Sequence, residues 1–504
     1  MSGRRVDARA LVARVLDEGS WTCWDVPPAD PAPAGSPYAA ALSRARELSG
    51  YDEAVITGSG TLRGRRVAVV ACEFSFLAGS IGVATAERLV RAVERATAEG
   101  LPLLAATSSG GTRMLEGTAA FVQMARIAAA VMRHKAAGLP YLVYLRHPTT
   151  GGVLASWGSL GHVTVAEPGA LIGFLGPRVH EALHGEPFPP DVQTAENLYA
   201  KGLVDAVVGS GEIGEVAARA LDVLCRPRTG LVATAAGRTA RRERDDLAEV
   251  PAWESIRRSR RDDRPGVREL LRHGAGNVTP LSGTGEGEAD PGVLLALATF
   301  GSAPCVVVGQ DRRSQRAGHP LGPAGLRVAR RGLGLAAGLG LPLVTVVDTP
   351  GAMLSAEAEE RGLAGEIARC LAELITLPTP TVCALLGEGA GGAALALLPA
   401  DRVLCARHAW LSPLPPEGAS VIVHRTVDHA AELAEAQGVR SADLLRDGIV
   451  DVIVPERPDA ADEPAAFCAR VAALLEGELI GLLAAGDEAR RVARQDRYRR
   501  LGTP

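Results

Sequence analysis

The feature that most restricts how this chain can fold is that it repeats itself at a distance of 240 residues. Gly100-Leu101-Pro102-Leu103 returns as Gly340-Leu341-Pro342-Leu343, Ser109-Gly110-Gly111 as Thr349-Pro350-Gly351, and Gly151-Gly152 as Gly391-Gly392. The register drifts by only six residues at the far end, where Gly202-Leu203-Val204-Asp205-Ala206-Val207-Val208 returns as Gly448-Ile449-Val450-Asp451-Val452-Ile453-Val454. Chance does not hold a register over such a span, so two copies of one domain are the economical reading. Within the first copy, strand and helix alternate: residues 54–56 and 66–70 read as strands, 84–99 as a helix, 101–106 as a strand, 121–137 as a helix and 141–145 as a strand. That alternation predicts an α/β layout with parallel strands, whose ligands sit where helix starts bring backbone N–H groups together.

Two turns stand out, Pro148-Thr149-Thr150-Gly151-Gly152-Val153 and Glu388-Gly389-Ala390-Gly391-Gly392-Ala393. Each follows an apolar run that reads as a buried strand and precedes a small-residue stretch that reads as a buried helix. A Gly-Gly pair there leaves N–H groups uncovered and aimed along the helix axis, a way to hold a developing negative oxygen. For one such pair alone, a tight turn or close packing is the better reading. Duplication of the pair favours two oxyanion holes.

Composition narrows the function classes. With 504 residues, 47 % of them hydrophobic and 22 % charged, the chain has material for two to four domains. A formal charge of -4 gives no bulk attraction for nucleic acid. Residues 1–5 lead into mixed polar sequence, and no apolar run approaches the roughly eighteen residues of a membrane span, so a cytoplasmic location is expected. The eight cysteines are too dispersed for a metal clamp and read as buried thiols, and Lys135 and Lys201 are the only lysines, which excludes a Walker A loop. Domain boundaries are expected as a helical and Pro-rich segment over 1–50, a first domain over 51–225, a charged linker over 226–290 and a second domain over 291–504. Within that linker, Arg257, Arg258, Arg260, Arg261 and Arg264 read either as a phosphate contact or as a solvated face, with Asp262 and Asp263 interleaved.

These residues carry a resemblance. Asp17-Glu18-Gly19-Ser20-Trp21, Ser109-Gly110-Gly111-Thr112-Arg113-Met114-Leu115-Glu116-Gly117, Pro148 to Val153 and Ala166 to Phe174 resemble the β subunit of bacterial acetyl-CoA carboxylase carboxyltransferase. Ala252-Trp253-Glu254, Asp348-Thr349-Pro350-Gly351-Ala352, Glu359-Glu360-Arg361-Gly362, Gly387-Glu388-Gly389 and Pro416-Glu417-Gly418 resemble its α subunit. The ordered combination covers residues 10 to 455 and looks like a fused β-α carboxyltransferase: an α/β fold of two tandem crotonase-type domains related by a pseudo-twofold.

The resemblance implies that carboxybiotin, delivered on a separate carrier protein, supplies CO₂ to the enolate of acetyl-CoA or another short acyl-CoA, giving malonyl-CoA or its homologue. Both the thioester enolate and the biotin ureido group pass through oxyanions. Carried over by motif, Gly151 and Gly152 face the thioester, while Gly391, Gly392 and the Ala393 N–H face the ureido group. Gly110, Gly111, Arg113, Pro350 and Gly351 shape the CoA and biotin clefts. The partners implied are the acyl-CoA, the biotin carboxyl carrier protein and the biotin carboxylase. A second copy of the chain completes each site in a homodimer or larger even oligomer. Neither lysine lies between methionines, so the biotin belongs to another chain, and no metal is implied.

Some features depart from the family pattern. The β subunit's four-cysteine zinc ribbon has no counterpart, and the α subunit's basic segment is replaced by Gln310-Asp311-Arg312-Arg313-Ser314-Gln315-Arg316, leaving arginines to make its polar contacts. Residues 387–392 satisfy GxGxxG without the acidic residue a dinucleotide site needs. His180-Glu181-Ala182-Leu183-His184 satisfies HExxH, but Pro177, Gly185 and Pro187 bracket it and no third ligand follows, so no catalytic zinc is expected. Two other readings remain open: a biotin-independent malonyl decarboxylase and a non-catalytic assembly subunit.

Overall fold

The computed structural model describes residues 6–29, 32–234 and 250–500. The chain divides into two compact units, Met1–Cys225 with Gly285–Gly287, and Arg226–Thr284 with Glu288–Pro504. Each unit is built on its own sheet. The first contains β1 (Thr22–Cys23), β2 (Val55–Leu62), β3 (Arg65–Cys72), β4 (Leu103–Ser109), β5 (Tyr141–Thr150), β6 (Val163–Ala166), β7 (Ile172–Gly173) and β8 (Ala206–Val207). They run in the order β1-β2-β3-β4-β5-β6-β8, with β7 beside the end of β5. The first three pair antiparallel and the rest parallel. The second sheet repeats this with β9 (Gly276–Leu281), β10 (Val293–Phe300), β11 (Ala303–Gln310), β12 (Leu343–Thr349), β13 (Thr381–Ala390), β14 (Arg402–Ala406), β15 (Trp410–Ser412) and β16 (Val452–Val454). Its order is β9-β10-β11-β12-β13-β14-β16, with β15 on β13.

The sequence repeat is a repeat of register. Leu103 pairs with Tyr141 and Leu343 with Thr381; pairing then breaks and resumes at Ser109 with Thr149 and at Thr349 with Gly389, each 240 residues on. Two isolated bridges, Ile81 to Thr112 and Leu321 to Ala352, keep the same offset. Strands β3 and β11 are apolar runs because helices cover a sheet of this kind on both faces. The Val83–Ala98 helix buries Ala86, Leu89, Val90 and Val93 at helical spacing, and Gly100 at φ 64° turns the chain into β4. The Pro323–Leu339 helix does the same, entering on Pro323 and leaving through Gly340 at φ 63°. In the first core, the Tyr141 hydroxyl donates to the Trp157 carbonyl at 2.9 Å, joining β5 to the segment beyond the glycine pair.

The expected linker needs correction. Residues 250–284, expected as a surface linker, carry the helices Ala252–Ser259 and Val267–Gly274 and the edge strand β9. The apolar positions Ala252 and Ile256, and Val267, Leu270 and Leu271, are buried, and the dense charge between them hides a helical period. The charged run 238–246 lies outside the described residues. The helices expected after the glycine pairs are single turns, Gly151–Leu154 and Gly391–Leu395. The segment expected as helical over 1–50 carries the helix Ala8–Val15, which buries Leu11 and Val12, and its β1 pairs with β2. Among the described residues no helix is long and apolar enough to cross a membrane.

Candidate active site

In the first unit, the glycine turns at the ends of β4 and β5 abut. Gly111 has φ 104° and Gly151 φ 61°, the left-handed region that side chains disfavour. A Cβ on Gly111 would lie 3.5 Å from the Gly151 Cα and the Gly152 N, and one on Gly151 would lie 3.4 Å from the Gly111 Cα. These are ordinary contact distances, so it is the positive φ rather than the spacing that calls for glycine at both turns. The Ser109 hydroxyl accepts from the Gly111 N–H at 3.0 Å and shapes the loop, while the Gly110 N–H donates to the Ala78 carbonyl at 2.9 Å. The Gly151 N–H donates to the Phe174 carbonyl at 3.0 Å and is committed to β7's exit. Gly151 therefore contributes its conformation. The N–H groups of Gly152 and Val153 lie in the first turn, ahead of any intrahelical partner.

In the second unit, the matching turn has Gly391 at φ 65° and the matching loop Gly351 at φ 133°. Thr349 replaces Ser109, its hydroxyl accepting from the Gly351 N–H at 3.1 Å. Asp348, buried at the end of β12, accepts from the Glu388 N–H at 3.1 Å and pairs with Arg312 at 3.1 Å. Gln310 is fully buried: its amide donates to the Ala393 carbonyl at 2.7 Å and accepts from the Asp348 N–H at 3.0 Å. Gln315 accepts from the Thr349 hydroxyl at 2.7 Å. Behind the turn, Ala252 and Ile256 pack on Ala390 and Trp410, and the Trp410 indole N–H donates to the Ser259 hydroxyl at 2.9 Å.

The structure gives other expected residues different roles. Arg113 is 2 % exposed, bound to both Glu53 oxygens at 2.6 and 2.8 Å and to the Ser80 carbonyl at 2.8 Å. Glu116, bonded to Tyr38, accepts from the Val83 N–H at 2.6 Å. Arg113 thus braces the loop from inside, with its donors spent. The arginines expected as a phosphate contact or a solvated face pair with carboxylates, and of the five Arg257 is exposed while Arg264 is buried. Arg264 is wholly buried against Glu456 at 2.7 Å, and Arg260 reaches Glu388 at 3.1 Å and Glu417 at 2.5 Å. The Arg260 guanidinium holds the Glu417 carboxyl below the usual carboxylate range. In the 310–316 segment Arg312 is the buried cation, while Arg316 pairs with Asp262 at 2.6 Å.

The HExxH segment forms the eight-residue helix Pro177–His184, closed by Gly185 at φ 75°. Its imidazoles lie 4.6 Å apart by ring centroid. Among the described residues no three metal-binding side chains gather. Sequence reasoning passed over Ser109 with Thr349, Gln310 with Gln315, and the Ile256 face. The hydroxyl pair was legible in the 240-residue offset; the glutamines signalled only as polar residues where an apolar strand ends.

A paired glycine turn beside the end of a central parallel strand, present once in each of two like units, defines a crotonase-type architecture. The profile of the Carboxyl transferase domain family matches residues 33–480. The chain belongs to that family. It is 59 % identical over 500 residues to a Mycobacterium tuberculosis protein named probable biotin-dependent acyl-coenzyme A carboxylase beta3 subunit, covering 99 % of each chain. It is 38 % identical over 515 residues to the acetyl-coenzyme A carboxylase carboxyl transferase subunits beta/alpha of Salinispora arenicola, covering 99 % of this chain and 91 % of that one. Among solved structures, transcarboxylase 12S, a hexamer with methylmalonyl-coenzyme A bound, superposes with TM-score 0.70 at 20 % identity over 92 % of this chain and 88 % of that one. A single-chain, multi-domain long-chain acyl-CoA carboxylase gives TM-score 0.70 at 19 % identity, over 93 % of this chain and 46 % of that one. At such identities these two likenesses speak for the fold.

Proposed function

We propose that this chain is the carboxyltransferase component of a biotin-dependent acyl-CoA carboxylase, with acetyl-CoA or another short acyl-CoA as acceptor. The observation that carries the reading is the doubled turn: two Gly-Gly pairs in the same register, each with its leading glycine at positive φ and first-turn N–H groups ahead of their helix. A transfer with two oxyanionic partners needs two such donor sets, and each donor contributes about 3 kcal/mol to the barrier in sites of this type. Carboxybiotin, carried by a separate protein and charged by a biotin carboxylase, supplies the carboxyl group. The second turn fits it, because the side-chain positions of Gly392 and Ala393 face inward and leave backbone N–H groups to meet the ligand. Around the first turn the Gly152 and Val153 N–H groups receive the thioester oxygen, and the Gly110-Gly111 loop packs against them. The second turn presents the Gly392 and Ala393 N–H groups, with Pro350-Gly351 as its neighbour loop.

Exposed apolar residues flank both turns at matching positions, Met114 and Phe174 in the first unit and Leu354 and Leu414 in the second. Surfaces of that kind favour a further partner, and we assign them to a second copy of the chain in an even-numbered oligomer working in the cytoplasm. The test is the reverse half-reaction: purified protein with malonyl-CoA or methylmalonyl-CoA and free biotin should form the decarboxylated acyl-CoA in a biotin-dependent manner. Release of CO₂ at the same rate without biotin would replace this reading with a decarboxylase. No reaction with either substrate, in folded protein, would replace it with an assembly role.

A further inference from the structure

We infer that Gln310 is a positioning residue for the second glycine turn, setting the direction of the N–H groups that face the biotin partner; the inference rests on the carboxyltransferase reading. Gln310 ends β11 and is fully buried. A buried amide is costly unless its donors and acceptor are used. The residue at the same register in the first unit is Cys72, which ends β3 as Gln310 ends β11 and is buried like it, so a short thiol with no amide to offer suffices for the strand. The polar choice at 310 therefore answers a need of the second turn.

That need is visible in the geometry. The Ala396 N–H donates to the Gly392 carbonyl at 2.9 Å, but the Leu397 N–H turns to Ala394 at 3.2 Å. The Ala393 carbonyl takes the Gln310 amide N–H at 2.7 Å instead. A turn of five residues is too short to hold itself rigid. Pinning the Ala393 carbonyl fixes the ψ of Ala393 and the peptides beside it. The other end of the same amide accepts from the Asp348 N–H at 3.0 Å, just before Thr349-Pro350-Gly351. The partners set the amide's orientation, since one is a carbonyl and the other an N–H. One side chain thus ties the glycine turn to its neighbour loop. The first unit holds its turn otherwise, through the Gly151 N–H on the Phe174 carbonyl at 3.0 Å and the Ser156 hydroxyl on the Gly152 carbonyl at 2.5 Å.

The test uses Gln310→Met, which removes both bonds, and Gln310→Glu, which keeps the acceptor for Asp348 and loses the donor to Ala393. In the biotin-dependent reverse reaction both should lower kcat about tenfold to a hundredfold, the scale of a misplaced reacting group. The KM for the acyl-CoA should stay within about twofold, because the first turn is untouched. Amide hydrogen exchange should quicken in peptides covering 390–396 and stay unchanged in those covering 150–156. Full turnover in both variants, an equal effect on both substrates, or unchanged exchange over 390–396 would each overturn the inference. If wild-type protein shows no biotin-dependent reaction, the functional reading falls, and the hydrogen exchange alone then decides whether Gln310 holds the turn.

Discussion

A Cβ built on Gly152 would stand 3.2 Å from the Thr112 Oγ1 and 3.3 Å from the Met124 Cγ, and one on Gly392 would stand 2.9 Å from the Ile367 Cδ1. From sequence alone, a side chain at either position is expected to fill the place of the substrate oxygen. The structure turns it inward instead, so a substitution acts by pushing the turn off its supporting side chains. Gly152→Val and Gly392→Val should each lower turnover by about 10²- to 10³-fold, the effect of losing an oxyanion donor, while circular dichroism stays native. Near-normal rates in both would make the glycines structural. A second residue-scale prediction concerns His162. Burial pushes its imidazole down to about 3, and Lys135 and then His134 add to the shift. The Nδ1 accepts from the Tyr141 N–H at 3.0 Å, which requires the neutral ring. Between pH 6.5 and 3 the unfolded chain binds a proton that the folded one refuses, so this contribution is whole above pH 6.5 and is lost as the pH falls. It amounts to about 1.4 kcal/mol per pH unit in that window. Urea midpoints at pH 7, 6 and 5 should fall more steeply for wild type than for His162→Gln; parallel slopes would show that His162 titrates normally.

At the scale of elements, the Ala252–Ser259 helix joins local packing to the site. Ile256 is buried against Ala390 and Trp410, and Ala390 immediately precedes Gly391. Ile256→Ala should cost about 2–5 kcal/mol by the usual penalty for a buried aliphatic side chain, and should lower kcat through the second turn. Thermal unfolding with a biotin-dependent rate measured well below the midpoint separates the two effects. A stability loss with an unchanged rate would show that the helix braces the fold without aiming the turn. This helix was also the hardest element to read. Arg257, Arg258, Arg260 and Arg261 make its neighbourhood look like solvent-facing linker, whereas their carboxylate partners Glu254, Glu388, Glu417 and Asp462 are mostly distant in sequence. Strands β4, β5, β12 and β13 were legible because parallel strands covered on both faces must be apolar throughout.

For the whole molecule, light scattering of the purified chain should give a dimer or a larger even-numbered oligomer, and biotin-dependent activity should fall on dilution below its dissociation. A fully active monomer would refute the need for a second copy. The duplication, the α/β class and the paired glycine turns were all present in the sequence, because a 240-residue offset preserved over three motifs and drifting by six at a fourth is a local pattern that needs no knowledge of packing. Conformation at Gly111, Gly151, Gly351 and Gly391 follows the same logic, since a positive φ selects for glycine. What the tertiary structure alone decided is which polar groups are spent. Arg113 reads like a substrate ligand until Glu53 takes its guanidinium, Gly151 reads like a donor until Phe174 takes its N–H, and Gln310 reads like nothing until its amide meets Ala393 and Asp348. Hydrogen-bond partners 23 to 83 residues away leave no periodic trace, because one bond constrains a single side chain, whereas burial constrains every second or fourth residue of an element.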